Sequence, residues 1–229
     1  MNNWWVNDTL QVVGPIYLIS WVMWVILSIT LHELAHGWVA IRCGDDVPYH
    51  SGHMTWNPFV HIPFPWAWIM FVMFGFTWGL MPTNPANYRR RYDESRVAFA
   101  GPAMNLSLAV LCVFADGFWL KFGDRTGVSA EMMKNVHLFL YTGVLINVVG
   151  FVFNLLPFPP LDGSRILSDF VPAYRRIWES EAGQIAGFIG FALLFFVVSK
   201  YVWGAGHYLS AWATVIFADA IGAPLMSPF

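Results

Sequence analysis

The chain has 229 residues and a formal charge of −2; it is 57% hydrophobic, only 11% charged, and carries 13 Trp and 20 Phe. Charge at less than half the roughly 25% usual in soluble domains, with a mean hydropathy of +0.53, excludes an ordinary water-soluble globule and indicates a polytopic membrane protein. The near-neutral balance gives no reason to expect a nucleic-acid partner, and two cysteines in apolar settings, Cys43 and Cys112, do not make a disulfide framework.

Five apolar stretches and a weaker sixth follow one another: Val12 to Leu31, Ile62 to Met81, Val97 to Phe118, Val136 to Leu156, Ile185 to Val202 and Tyr208 to Met226. The best approach the roughly 20 residues needed to cross a hydrocarbon core of about 30 Å. With no repeat, low-complexity segment or long linker, the expectation is an all-α polytopic membrane protein, one domain over 1–229. The first stretch lacks a basic leader and runs directly into a polar motif, so it is expected to be a retained helix rather than a cleaved signal.

From Val12 to Ile41 the only proline is Pro15, and a helix over that span is about 45 Å long. It outruns the membrane core, which places the turns of "HELAHGWVAIRCGD" near one interface. In "VPYHSGHMTWNP", Pro48, Gly52 and Pro58 argue against continued helix. The stretch from Ile62 to Met81 is interrupted by Pro63, Pro65, Gly75 and Gly79, and reads equally as a full span or a dipping segment. Arg89, Arg90, Arg91 and Arg96 then form the strongest topogenic signal in the chain. "VAFAGPAMNLSLA" opens with small residues suited to close helix packing in lipid. After Lys121, Arg125 and Lys134, the next apolar segment ends in "FNLLPFPPLDGSR", whose prolines stop a regular helix near Pro157. Two further helices are expected over about 184–226.

The chemistry lies in the motif. His32 and His36 are four residues apart, so on a helix both imidazoles project from one face and reach one metal ion. Glu33 lies beside them, placed to exchange a proton with a metal-activated water without being a ligand. Ionisable groups in an apolar bundle are costly, which favours a functional site over incidental pairing. A catalytic zinc site usually has three protein ligands and an open position. Asp162 is the best third candidate, because it lies in broken backbone that is tolerated at membrane depth only where it borders protein or a polar cavity. Asn154 and Asn147 lie two helical turns apart on a similar face. Either amide can hold a substrate carbonyl, and either serves equally as a hydrogen bond between helices. His50, His53 and His61 read as surface or interfacial histidines that also stand near enough to line a cavity, and His137 and His207 as interface residues.

These stretches, together with "GHMTWNP", "NPFVHI" and "PTNPANYR", resemble the site-2 protease family of intramembrane zinc metalloproteases, in its compact bacterial and archaeal branch without a PDZ domain. The resemblance runs from about residue 31 to 166. It implies that His32, His36 and Asp162 bind Zn2+, that Glu33 is the general base, and that Asn154 helps hold the substrate. The implied reaction is hydrolysis of a peptide bond in a transmembrane protein substrate, within or beside the lipid bilayer. The chain departs from the branch pattern where it reads "WGLMPTNP" without a preceding lysine, and "HIPF" in place of "HIDP".

One ion can bind both HELAH and Asp162 only if the two lie on the same membrane side, so Ile62 to Met81 is expected to dip or lie at the interface. The positive-inside rule gathers Arg42, Arg89, Arg90, Arg91, Arg96, Arg165, Arg175 and Arg176 on the cytoplasmic side, with Lys121, Arg125 and Lys134 opposite. The expected location is a bacterial or archaeal cell membrane, with the active site toward the cytoplasm. A noncatalytic zinc-bearing scaffold subunit and a metal transporter are the competing readings, and a membrane-protein partner or an oligomer stays open.

Overall fold

The computed structural model describes residues 4–227, which are helical with irregular connections and contain no strand. Helix α1 (Trp5–Val12) leads to α2 (Pro15–Cys43), which starts with proline at its first turn, where a missing amide costs nothing. Helix α2 stops at Gly44, whose left-handed φ of 108° lets its amide reach the carbonyls of Ala40 and Ile41.

The chain then stays at this end of α2. Helices α3 (Val47–His50) and α4 (Pro58–His61) are single turns, and α5 (Trp66–Phe74) has nine residues, about 14 Å of helix. That is too short to cross the hydrocarbon core. The amide of Leu80 donates to the carbonyl of His61 at 2.7 Å, so the excursion closes where it began. Ile62 to Met81 is therefore no simple crossing, in line with the requirement for a shared side. The carbonyls ending α5 are satisfied by indole N–H groups: Trp4 and Trp5 donate to Val72 O at 2.8 and 2.9 Å, and Trp21 to Gly75 O at 2.6 Å. Tryptophan supplies donors where water is scarce. The return segment is fastened by the fully buried Asp45, whose carboxylate accepts from Asn84 N at 2.7 Å and Asn87 Nδ2 at 2.8 Å.

Helices α6 (Asp93–Phe122) and α7 (Ala130–Asn154) run the length of the bundle, and among the described residues they and α2 are long and apolar enough to cross a membrane. Their shared core contains Trp24, Val25, Cys112, Val144 and Ile146, joined by Phe71 of α5. Trp24 packs against Gly143, where a Cβ would lie 2.4 Å from the indole, and its N–H reaches Phe139 O at 2.9 Å. Helices α8 (Asp162–Phe170) and α9 (Pro172–Glu179) precede α10 (Glu181–Ile221). The two C-terminal apolar stretches expected as separate helices lie on this one helix of 41 residues, except for 222–226, which follow its end at Ile221. No proline interrupts it, and Gly206 serves close packing against Val149 instead of a break.

Helix α8 is held onto the first turns of α6 by polar contacts. Asp169 Oδ2 accepts from Ser95 N at 3.0 Å and Ser95 Oγ at 2.8 Å, while Arg175 bridges Glu94 at 2.7 Å and Asp169 at 3.3 Å. These contacts carry Asp162 to the end of the bundle where α2 finishes. Replacing Asp169 with Ala strands buried donors, at a cost of about 1–3 kcal/mol. We expect amide hydrogen exchange over 162–170 to accelerate in Asp169→Ala while the middle of α6 and α7 stays protected; unchanged exchange in α8 would show that these bonds do not hold it.

Candidate metal centre

His32 and His36, on successive turns of α2, present their Nε2 atoms 2.9 Å from each other. Asp162, at the start of α8, brings Oδ2 to 3.1 Å from His32 Nε2 and 3.3 Å from His36 Nε2. All three residues are buried, and they form the metal-competent group found among the described residues. Ligand atoms about 2.0–2.1 Å from one tetrahedral ion lie about 3.3 Å apart, so the triangle fits zinc to within a few tenths of an ångström. Burial opposes charge on Asp162, but when protonated the neighbouring imidazoles of His36 and His32 outweigh it and hold the carboxyl well below the usual carboxylate range.

The outer nitrogens of both rings are fixed by the bundle. The carbonyl of Gly143 can only accept, so the Asn147 NH2 must face it, with Nδ2 2.9 Å from the oxygen. Asn147 Oδ1 then accepts from Asn105 Nδ2 at 3.0 Å, and Asn105 Oδ1 accepts from His32 Nδ1 at 2.7 Å. A main-chain carbonyl thus dictates, through two buried amides, that His32 carries its hydrogen on Nδ1 and leaves the Nε2 lone pair for a metal. His36 Nδ1 donates to Val97 O at 2.6 Å with the same result. Pro102, inside α6, has no amide to offer one turn back, which loosens the ladder beside that carbonyl.

Two glycines shape the space. A Cβ on Gly101 would lie 2.4 Å from His36 Nε2 and 2.5 Å from His32 Nε2, so only glycine leaves the centre clear. A Cβ on Gly79 would lie 2.3 Å from Glu33 Oε1, which places the return segment directly against that carboxylate. Glu33 is buried beside His32, and its carboxylate has no hydrogen bond or ion pair among the described residues.

The structure thus brings His32, His36 and Asp162 together, with Glu33 adjacent on α2. Asn154 closes α7 in the segment leading to Asp162; its Nδ2 donates to Gly150 O at 3.0 Å, and it makes no recorded bond to the three. Asn147 is fully buried in the relay and faces no open space. His50 is exposed and paired with Asp46 at 3.2 Å, and His53 bonds Ser51. His61 is fully buried and reaches Thr55 O at 2.7 Å, which removes it from the surface. His137, expected at an interface, is buried against Asp116 at 2.7 Å, while His207 is exposed. Sequence reasoning missed Gly101 and Asn105. Their signal was the Gly-Pro-x-x-Asn spacing in "AGPAMN", which sets the two residues one helical turn apart on α6.

Two substitutions test this arrangement through metal content alone. Gly101→Ala puts a methyl between the imidazoles, and purified protein is expected to carry far less than one zinc per chain. Asn105→Leu removes the acceptor for His32 and is expected to weaken zinc affinity about 10–100-fold, whereas Asn105→Asp keeps an acceptor and retains most of it. Equal affinity in the Leu variant and the native protein would remove the relay from any role in metal binding.

Comparison with known proteins places this centre in a family. The model described as "Peptidase family M50" matches residues 20–121 and 125–197, which include His32, Glu33, His36, Asn154 and Asp162. "Putative zinc metalloprotease YwhC" of Bacillus subtilis is 37% identical over 176 residues, covering 76% of this chain and 78% of that protein. "Putative zinc metalloprotease Rip2" of Mycolicibacterium smegmatis is 30% identical over 175 residues, covering 70% of this chain and 61% of the relative, so part of that relative lies outside the match. The Mycobacterium tuberculosis protein of the same name is 25% identical over 212 residues, covering 85% of this chain and 72% of its own. No solved structure gives a significant match. Family and donor set both imply zinc as the cofactor, and three long apolar helices make this an integral membrane protein. With its metal-competent triad inside the matched region, the chain belongs to peptidase family M50, the site-2 protease family of zinc metalloproteases.

Proposed function

We propose that the protein is an intramembrane endopeptidase that cuts transmembrane proteins beside the cytoplasmic leaflet of a bacterial or archaeal cell membrane, with His32, His36 and Asp162 as its zinc ligands. The observation that carries the proposal is the convergence of two imidazoles and a carboxylate within 3.3 Å at one end of an apolar bundle, next to a Glu33 carboxylate with no hydrogen bond among the described residues. Zinc bound there supplies Lewis-acid activation of water and of the scissile carbonyl.

The chain's own residues do the rest. Glu33 accepts a proton from the attacking water and returns it to the leaving nitrogen, a role suited to a buried carboxylate with no competing donor. Asn154 spends one amide hydrogen on Gly150 O, leaving its other hydrogen and its oxygen for a substrate backbone. A helical substrate must unwind locally before its carbonyl is accessible. The irregular return segment around Gly79 supports this step, because its backbone already runs beside Glu33.

Glu33→Gln should leave zinc content unchanged and lower cleavage of transmembrane substrates by at least about 100-fold, while Asp162→Ala loses both zinc and cleavage. If the native protein holds zinc yet cuts nothing across a broad substrate panel, it is a zinc-bearing scaffold. A flux of metal across vesicles would instead mark a transporter.

The arginines at the centre's end of the bundle support the cytoplasmic orientation. Single cysteines placed at Arg176 and at Glu131 should differ in labelling by an impermeant thiol reagent added outside intact cells: the first protected, the second modified. The reverse pattern would invert the orientation and leave the chemistry standing.

A further inference from the structure

We propose that the seam between the end of α2 and the start of α6 is a binding site for an anionic phospholipid, with the phosphodiester held by Arg42, Arg89 and Arg90. A cavity of about 520 Å³ opens there, lined by these three residues, by Arg96 and Asp93, and by the apolar side chains of Val39 and Phe99. That volume lies in the range of small-molecule sites.

The charge in the cavity is unbalanced by construction. Asp93 is almost completely buried and already saturated: its carboxylate accepts from Arg90 N at 2.9 Å and pairs with Arg96 at 3.1 Å. Arg42, Arg89 and Arg90 are exposed and have no ion pair among the described residues. Three guanidinium groups therefore line one cavity whose carboxylate, Asp93, is already committed to Arg96 and the Arg90 amide.

Their positions are held by the fold rather than by chance. Arg89 N donates to Cys43 O at 3.1 Å, bolting the arginine loop to the last turn of α2. The Arg89 side chain crosses Gly44, where a Cβ would lie 2.6 Å from Nε. Tyr92 sits at φ 68°, a conformation disfavoured for an aromatic residue, and its ring stacks on Phe170 at 4.8 Å. A strained residue kept by packing on one side and by the grip of Asp93 on the other marks a preorganised loop.

The ligand class follows from what borders the charges. Phe99 is an exposed apolar side chain in the cavity wall beside Val39, and Trp38 and Ile41 are exposed on the same last turns of α2, near the end of two helices long enough to span a bilayer. A ligand with a phosphate at one end and acyl chains at the other matches both halves, which a free phosphate does not. Guanidinium forks bind phosphate oxygens in pairs, and basic pockets between transmembrane helices take anionic headgroups. The site would lie one helical turn from Val97, whose carbonyl holds His36.

The test uses the full chain, delipidated in neutral detergent, and native mass spectrometry with dioleoyl phosphatidylglycerol or dioleoyl phosphatidylcholine. One phosphatidylglycerol should be retained per chain in preference to phosphatidylcholine. Each single Arg→Gln change at 42, 89 or 90 should weaken retention about fivefold, and the triple change by more than about tenfold. Lys121→Gln with Arg125→Gln, at the far end, should leave it unchanged, and the melting temperature of the triple variant should match that of the native protein. Equal retention of the two lipids, native retention by the triple variant, or displacement of phosphatidylglycerol by inorganic phosphate at equal concentration would overturn the proposal.

Discussion

Two imidazoles and a carboxylate held within about 3 Å of one another, deep in an apolar bundle, are the constraint on which the structure turns. Such groups are costly to bury unless every polar atom finds a partner. Here the outward atoms find theirs, His32 Nδ1 on Asn105 and His36 Nδ1 on Val97 O, which leaves two lone pairs and a carboxylate oxygen converging on one point, an arrangement that suits a cation. The relay through Asn147 ends on a main-chain carbonyl, which cannot reverse its polarity. The same buried amides that glue three helices together therefore also set the tautomer of His32.

The second requirement is irregular backbone close to the centre. Under the proposed function, peptide hydrolysis needs an extended strand of substrate near Glu33, whereas unpaired backbone groups are poorly tolerated in lipid. The chain meets both demands with donors and acceptors from side chains. Indoles cover the carbonyls at the end of α5, Asp45 takes the amides of the return segment, and Gly79 lets that segment lie against Glu33 without a Cβ in the way. The abundance of tryptophan thus has a local meaning beyond interface anchoring.

Charge is distributed along the bundle for related reasons. The arginines that bias orientation also grip helix ends: Arg175 joins α6 to α8, and the loop of Arg89 and Arg90 closes over the end of α2. At the opposite end the buried Asp116–His137 pair and the bond from Lys121 to Ile221 O tie α6, α7 and the end of α10 together. Polar contacts are concentrated at the two ends, and the middle of the bundle is held by close packing around Trp24 and Gly143.

By itself the sequence determined the chemistry that periodicity controls. A spacing of four residues puts His32 and His36 on one helical face whatever surrounds them, and clustered prolines must end α7 before Asp162. The need for both on one side then predicted a dip or an interfacial course for Ile62 to Met81, which the short α5 bears out. Tertiary structure alone decided what depends on helices far apart in sequence. Asn105 partners His32 across 73 positions, Gly101 is required only because α6 crosses α2 at the centre, and Asn147 is committed to the relay because α7 turns it inward. The final two apolar stretches became one helix because no proline breaks it before Ile221. Local spacing sets which atoms share a face; only packing sets which faces meet.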